Sequence, residues 1–91
     1  MSYRITFMAG DSVSKSTRYY NVYHSSEALE DISHTFHHGK IHARKITIYK
    51  IEEWERFTKK WIDRTDKAVE HADNVNGMLV DKNKIILKRK K

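Results

Sequence analysis

The stretch from Glu52 to about Val75 constrains the fold of this chain more than any other. Its apolar residues are spaced three and four apart, as one face of an α-helix requires. They are Trp54, Phe57, Trp61, Ile62, Ala68, Val69, Ala72 and Val75. Thr65 and Asp66 could break a helix, but the apolar spacing continues in register through them. We therefore predict one long helix whose apolar face carries both tryptophans of the protein.

The segments before this helix predict two strands and a shorter helix. Residues 3–8 alternate between apolar and polar side chains, and residues 18–23 are rich in β-prone aromatic residues, so we expect the two segments to pair as a hairpin. Residues 26–38 predict a helix that ends near Gly39, a residue type favoured just beyond a helix C-terminus. Its inward face is expected to hold Leu29, Ile32 and Phe36.

The remaining segments add three strands. Residues 43–50 predict a strand with Ile46 and Ile48 facing the core, and residues 78–87 predict a hairpin with a polar turn. Residues 74–77 are expected to end the long helix. The predicted order is ββαβαββ, an α+β fold in which a mainly antiparallel sheet carries two helices on one face.

Length and composition limit the possible classes of protein. A chain of 91 residues predicts a single domain, here residues 1–87, followed by a basic tail at residues 88–91. The absence of cysteine excludes disulfides and thiolate metal sites. The first residues lack the apolar run of a signal peptide, and no apolar stretch has the length of a membrane span. We therefore expect a cytoplasmic protein without membrane contact.

The net charge of +6 is concentrated at one end of the chain. Residues 1–81 contain twelve Lys and Arg and twelve Asp and Glu, whose charges cancel. The last ten residues add six bases and no acid: Lys82, Lys84, Lys88, Arg89, Lys90 and Lys91. A basic tail gives salt-sensitive affinity for nucleic acid, but it can also protect a sheet edge or aid solubility. The neutral body weakens the case for a basic binding face.

Four of the six histidines are close in sequence: His34, His37, His38 and His42. His34 and His38 are four residues apart on the first predicted helix, a spacing that can bring two imidazoles to one metal ion. No further ligand is evident from the sequence. The alternative is a solvated helix end, where partly protonated imidazoles suit the negative end of the helix dipole.

Two groups of basic and aromatic residues are candidates for binding. Arg56, Lys60, Arg64 and Lys67 would form one positive line on the long helix, although interleaved acids also fit a salt-bridged solvent face. Sheet tyrosines beside cations can stack nucleobases, but they also serve strand packing or protein contacts. The second group comprises Arg18, Tyr19, Tyr20, Tyr23, Arg44, Lys45 and Tyr49, to which the tail adds Lys88 and Arg89.

The sequence contains no nucleophile elbow, no Gly-rich phosphate loop and no HExxH motif. We therefore expect no cofactor and favour a non-enzymatic protein-binding module, such as an inhibitor or modulator encoded by a virus or mobile element. The first alternative is a nucleic-acid-binding module. The second is a small ribonuclease that uses His34, His37 or His38 with Arg44 or Lys45. A homodimer through the tryptophan-bearing helix is also compatible with the pattern.

Overall fold

The computed structural model describes residues 2–10, 13–72, 78–81 and 84–88, without the side chains of Leu79 and Asp81. Within these residues the chain forms six strands and two helices. In order they are β1 (Ser2–Ala9), β2 (Ser16–Asn21), α1 (Ser25–His37), β3 (Lys45–Glu55), β4 (Lys60–Asp63), α2 (Thr65–Ala72), β5 (Met78–Asp81) and β6 (Lys84–Lys88). The predicted α+β class with an antiparallel sheet and two helices is confirmed.

The long strand β3 organises the sheet. The strand order is β2-β1-β3-β6-β5, and every described pairing is antiparallel. Along the edge of β3 opposite β1, its first half pairs with β6 and its second half with β4. In this register Ile5 lies opposite Ile51, and Trp54 lies opposite Trp61. One strand therefore joins three neighbours into a single sheet.

The core lies between one face of the sheet and the two helices. Leu29, Ile32 and Phe36 of α1, with Ala68 and Ala72 of α2, are fully buried. They pack in one cluster with the inward strand residues Tyr3, Ile5, Phe7, Ile46, Ile48, Ile51, Met78, Ile85 and Leu87. The predicted inward positions of α1 and the inward placement of Ile46 and Ile48 are confirmed.

A β-bulge in β3 explains how Ile48 and Ile51 both reach the core although they are three residues apart. Phe7 lies opposite Ile48, whereas Thr6 lies opposite Lys50, so β3 has one extra residue at Tyr49. A bulge changes the alternation of side chains along a strand. Ile48 and Ile51 both point to the helices as a result, and Tyr49 and Lys50 both point to the opposite face.

The predicted single long helix is wrong. Residues 52–55 finish β3, residues 56–59 form a turn, and residues 60–63 form β4. Only Thr65–Ala72 are helical, so the observed order is ββαββαββ. The hairpin forms because Trp54 and Trp61 pair across the strands, and the Asp63 carboxylate then accepts the N–H and hydroxyl of Thr65 as α2 begins.

Some predicted features fall on residues outside the described ranges. These are the helix end at residues 74–77, the middle of the turn at residues 82–83, and the tail from Arg89 to Lys91. Among the described residues, neither helix is long and apolar enough to cross a membrane.

Candidate binding surface on the open sheet face

The face of the sheet opposite the helices is here called the open face, since no described helix covers it. Strand alternation and register assign its side chains, because residues directly opposite each other in a pair share a face. Its main members are Arg4, Thr6, Met8, Tyr19, Lys45, Thr47, Tyr49, Lys50, Glu52, Trp54, Trp61, Lys84, Ile86 and Lys88. This surface combines aromatic rings with cations.

Three aromatic rings form a connected cluster at one end of the open face. The ring centroids of Trp54 and Trp61 are 5.3 Å apart with an edge-to-face orientation, and those of Tyr19 and Trp61 are 6.1 Å apart. Tyr19 is 67% exposed and Trp54 is 36% exposed. The cluster therefore presents ring surface to solvent while the rings hold one another in place.

Arg4 and Glu52 form an ion pair next to the aromatic cluster. The Arg4 guanidinium donates to both carboxylate oxygens of Glu52, at 2.7 and 3.2 Å, and its Cζ lies 4.3 Å from the centroid of a Trp61 ring. The Lys50 ammonium lies 3.5 Å from the same carboxylate. The hydrogen bond from Arg4 lowers the pKa of Glu52, which is 7% exposed. Arg4 is thus held between an anion and an aromatic ring.

Tyr49 forms a second aromatic position further along the open face. The ammonium groups of Lys15 and Lys84 lie 4.5 and 4.9 Å from its ring centroid, and its hydroxyl donates to the sulfur of Met8 at 3.2 Å. The bulge places this ring on the open face. A tyrosine between two lysines offers a stacking surface with positive charge on either side.

The open face is positive, and Lys84 and Lys88 from the basic end of the chain supply half of its net charge. Among the described side chains it carries six cations (Arg4, Lys15, Lys45, Lys50, Lys84 and Lys88) and two carboxylates (Glu52 and Asp63), a net charge of +4. The two helices carry five carboxylates and one lysine, a net charge of −4 with neutral histidines. The open face and the two helices thus carry net charges of opposite sign.

A pocket of about 470 Å³ adjoins the aromatic cluster. It is lined by Ser2, Tyr19, Tyr20, Asn21, Trp54 and Trp61. Its walls are mainly aromatic, with polar groups from a serine and an asparagine. A flat, partly apolar ring with polar edges fits such a site chemically.

Four of the predicted site residues meet on the open face. Tyr19 lies in the aromatic cluster and Tyr49 lies at the bulge. Lys45 and Lys88 lie directly opposite each other on β3 and β6. These four come from three strands that are distant in sequence, so only the sheet brings them together.

Other predicted residues lie elsewhere. Arg18 and Tyr20 are opposite Ile5 and Tyr3, and therefore belong to the helix side of the sheet, although Tyr20 also lines the pocket beside the aromatic cluster. Arg44 precedes β3, and Tyr23 follows β2 with its side chain exposed. Arg89 is outside the described residues. The two-strand tyrosine group is thus divided between the two faces.

The predicted positive line on a long helix does not exist. Arg56 is in the β3–β4 turn, Lys60 is on β4, Arg64 lies between β4 and α2, and Lys67 is on α2. The strand and turn conformation of residues 52–63 removes the helical spacing that would align them.

Arg64 belongs instead to a polar pocket of about 640 Å³ on the helix side. Its Nε donates to Glu53 at 3.2 Å, and the Tyr3 hydroxyl donates to the same carboxylate oxygen at 3.2 Å. Lys67, Tyr23, His24 and His71 also line this pocket. Because Glu53 neutralises Arg64, this pocket has less free positive charge than the open face.

His34 and His38 lie in the last turn of α1 and just after it, with ring centroids 4.1 Å apart. Both side chains are exposed. Among the described residues, no group of three or more metal-ligating side chains comes together. The metal site and the solvated helix end therefore both stay predictions for this pair. The exposure of both rings beside the negative end of the helix dipole favours the solvated helix end.

The sequence prediction of site residues did not include the two tryptophans, Arg4, Lys15 or Lys84, which the structure places on the candidate surface. The tryptophans were assigned to a core helix, and the three cations are isolated in sequence. One usable signal was present: Lys60 to Asp63 contains Trp61 and Ile62 beside a polar turn, a composition that also suits a short strand.

Comparisons with models of protein families, with curated proteins and with solved structures give no match.

Proposed function

We propose that this chain is a non-enzymatic binding module that holds single-stranded nucleic acid on the open face. The observation that carries the proposal is the combination of exposed, mutually supported rings with six cations on one uncovered sheet surface. Aromatic rings stack on unpaired bases, and lysine and arginine neutralise the phosphates that connect them. The cations beside Trp61 and Tyr49 would let the same surface contact both the bases and the phosphates of one ligand.

The shape of the surface favours a single strand over a duplex. Stacking requires bases that are free of neighbours, and the bases inside a duplex are already stacked on one another. Tyr49 and the tryptophan cluster lie at separate positions on the sheet, so two stacking positions are available to successive parts of one strand. The pocket beside Tyr19 and Trp54 could accept one base.

Charge reversal at matched positions tests this function. Lys45→Glu with Lys84→Glu removes two cations from the open face, whereas Lys40→Glu with Lys67→Glu makes the same change in net charge outside it. We expect the first pair to weaken binding of a labelled single strand about tenfold or more near physiological salt, measured by fluorescence anisotropy. The second pair should change affinity by less than about threefold, since it leaves the phosphate contacts intact.

All four lysines are exposed, so both double variants should fold, which circular dichroism can verify. Equal loss of affinity in the two pairs would mean that only net charge matters, and the open face would then not be the site. The basic end of the chain cannot be tested by truncation after Asp81, because that truncation would also remove β6 from the sheet.

The second candidate is the protein-binding module favoured by the sequence, such as an inhibitor or modulator from a virus or mobile element. The specific observation for it is the outer edge of β2, which has no described strand beside it and adjoins the aromatic pocket. An extended peptide could add to this edge and insert a side chain into that pocket. Such binding would depend weakly on salt and would survive the Lys45 and Lys84 reversals.

A further inference from the structure

The tip of the β3–β4 hairpin presents an exposed aromatic ring. Phe57 is 86% exposed, whereas the largest apolar side chains of the core are fully buried. A single exposed apolar residue is ordinary on a protein surface. Hydrogen bonds hold the turn around Phe57 in one conformation, and the neighbouring charges indicate the kind of surface that the exposed ring suits.

The turn is held by the Glu55 side chain. Its carboxylate accepts the backbone N–H groups of Phe57 and Thr58 at 3.0 and 2.9 Å and the Thr58 hydroxyl at 2.9 Å. Lys59 adopts a positive φ of 54°, which closes the turn. These three hydrogen bonds fix the backbone of the turn that carries the exposed ring, and they engage the acid nearest to the tip.

Cations flank the ring on both sides in sequence. Arg56 precedes Phe57, and its Cζ lies 5.5 Å from the ring centroid, while Lys59 and Lys60 follow. All three are exposed. A flat apolar ring between cations is complementary to a flat apolar surface that is bordered by anions.

The tip continues the surface proposed to bind a single strand. Phe57 is three residues after Trp54, so at roughly 3.3 Å per residue it is at most about 10 Å further along the same hairpin. A strand that leaves the Trp54–Trp61 cluster in this direction would meet the tip next. The exposed end of a duplex offers what the tip fits: one flat base pair and phosphates on either side.

We propose that Phe57 stacks on the terminal base pair where a single strand on the open face enters a duplex, so that the protein prefers single-strand/duplex junctions. This inference rests on the proposed function. The end of a duplex exposes one face of one base pair, which a single ring such as Phe57 can cover. The several rings of the open face would stack on the bases of the unpaired segment. The cations of the tip would contact the phosphates of the paired strands.

Three labelled oligonucleotides test the inference: a single strand, the same sequence as an overhang of about 12 nucleotides on a short stem, and the blunt stem. We expect the full-length protein to bind the overhang–stem junction roughly fivefold to a hundredfold more tightly than the single strand, the range that one stacking contact provides. Phe57→Ala should remove this preference and retain single-strand affinity. A 2-aminopurine in the terminal base pair should change its fluorescence with the natural protein and not with the variant.

Tyr23→Ala is the matched control, since it removes an exposed ring from outside the open face and the tip. It should keep the junction preference. Equal affinity for junction and single strand, or a preference that survives Phe57→Ala, would overturn the inference while leaving the proposed function standing. Failure of the natural protein to bind the single strand at all would overturn both.

Discussion

At the residue scale, Glu52 is the acid on which the open face depends. Its carboxylate is almost fully buried among cations, bound by Arg4 through two hydrogen bonds and approached by Lys50. These contacts orient the guanidinium beneath the Trp61 ring. The side chain therefore stabilises the fold and also keeps one cation and one ring of the candidate surface in place.

We expect Glu52→Gln to lower the free energy of unfolding by about 2 kcal/mol at neutral pH, because it removes the charged acceptor of Arg4. The hydrogen bond from Arg4 lowers the pKa of folded Glu52 below its ordinary value of 4.5. The unfolded chain therefore binds the proton more readily, and the stabilisation present above about pH 4.5 is lost as pH falls through the lower pKa of the folded state.

Urea unfolding followed by tryptophan fluorescence measures this effect, since Trp54 and Trp61 both belong to the β3–β4 hairpin. The difference between the natural protein and Glu52→Gln should be largest near pH 7 and should decrease as the pH is lowered below about 4.5. Glu30→Gln, on the exposed surface of α1, is the control. A difference that stays constant across this pH range would contradict the assigned role of the charge.

At the element scale, the β3–β4 hairpin shows why helical spacing misled the sequence prediction. Trp54 and Trp61 are seven residues apart, which equals two turns of a helix. In a hairpin, the same separation places two residues opposite each other when one further residue pair and a four-residue turn lie between them. Spacing alone cannot distinguish these two structures. The hairpin is stabilised by hydrogen bonds of the Glu55 carboxylate with the turn and of Arg4 with Glu52. A sequence pattern does not identify the partners of such side chains.

Other elements were predictable because their patterns had one physical interpretation. The helix over 26–38 is observed as Ser25–His37, and Ile46 and Ile48 of β3 face the core as predicted. The open face was only partly predictable. Tyr19 and Tyr49 were identified by residue type, but their common face follows from strand register and from the bulge at Tyr49. Neither of these is evident in a single sequence.

The bulge gives a test of the register of β3. Deletion of Lys50 would leave Ile48 and Ile51 two positions apart, the spacing that an ordinary strand needs to send both into the core. We expect this variant to fold with a loss of about 1 kcal/mol. Deletion of Thr47 would place Ile46 and Ile48 side by side and expose one of them, at a cost of about 2 kcal/mol or more.

Thermal unfolding compares the two deletions, since 1 kcal/mol corresponds to roughly 4–8 °C in Tm for a domain of this size. The Lys50 deletion should have the clearly higher Tm. The opposite order would mean that the core does not depend on the alternation described for β3.

At the scale of the whole molecule, the distribution of charge matters more than its sum. The zero net charge of residues 1–81 made a basic binding face appear improbable, yet the sheet brings Lys84 and Lys88 of the basic end beside cations of the body. The open face and the two helices consequently carry opposite net charges. The resulting field would orient an approaching polyanion toward the open face and away from the helices. The argument from net charge was correct as arithmetic, but it could not locate the charges.

This distribution predicts the salt dependence of binding. For single strands, the slope of log K against log salt is about −0.7 for each phosphate neutralised. Four lysines of the open face, Lys15, Lys45, Lys84 and Lys88, are not bound to Glu52, and their contacts would give a slope of roughly −3. Lys45→Glu with Lys84→Glu should bring the slope about 1.4 closer to zero, because two contacts are lost. Titrations at several salt concentrations measure it, and a slope near zero for the natural protein would contradict binding through phosphates.

The central position of β3 also determines when the fold can be completed. Its contacts with β1 join residues such as Ile5 and Ile51, and its contacts with β6 join residues such as Ile46 and Leu87. These pairings close long loops, which slows folding relative to structures built from local contacts. During synthesis the β1–β2 hairpin and α1 emerge from the ribosome before β3 does, so the inward face of β1 lacks this partner until β3 has emerged. Assembly of the sheet therefore depends on the pairing of β3, the same strand that joins its neighbours in the finished fold.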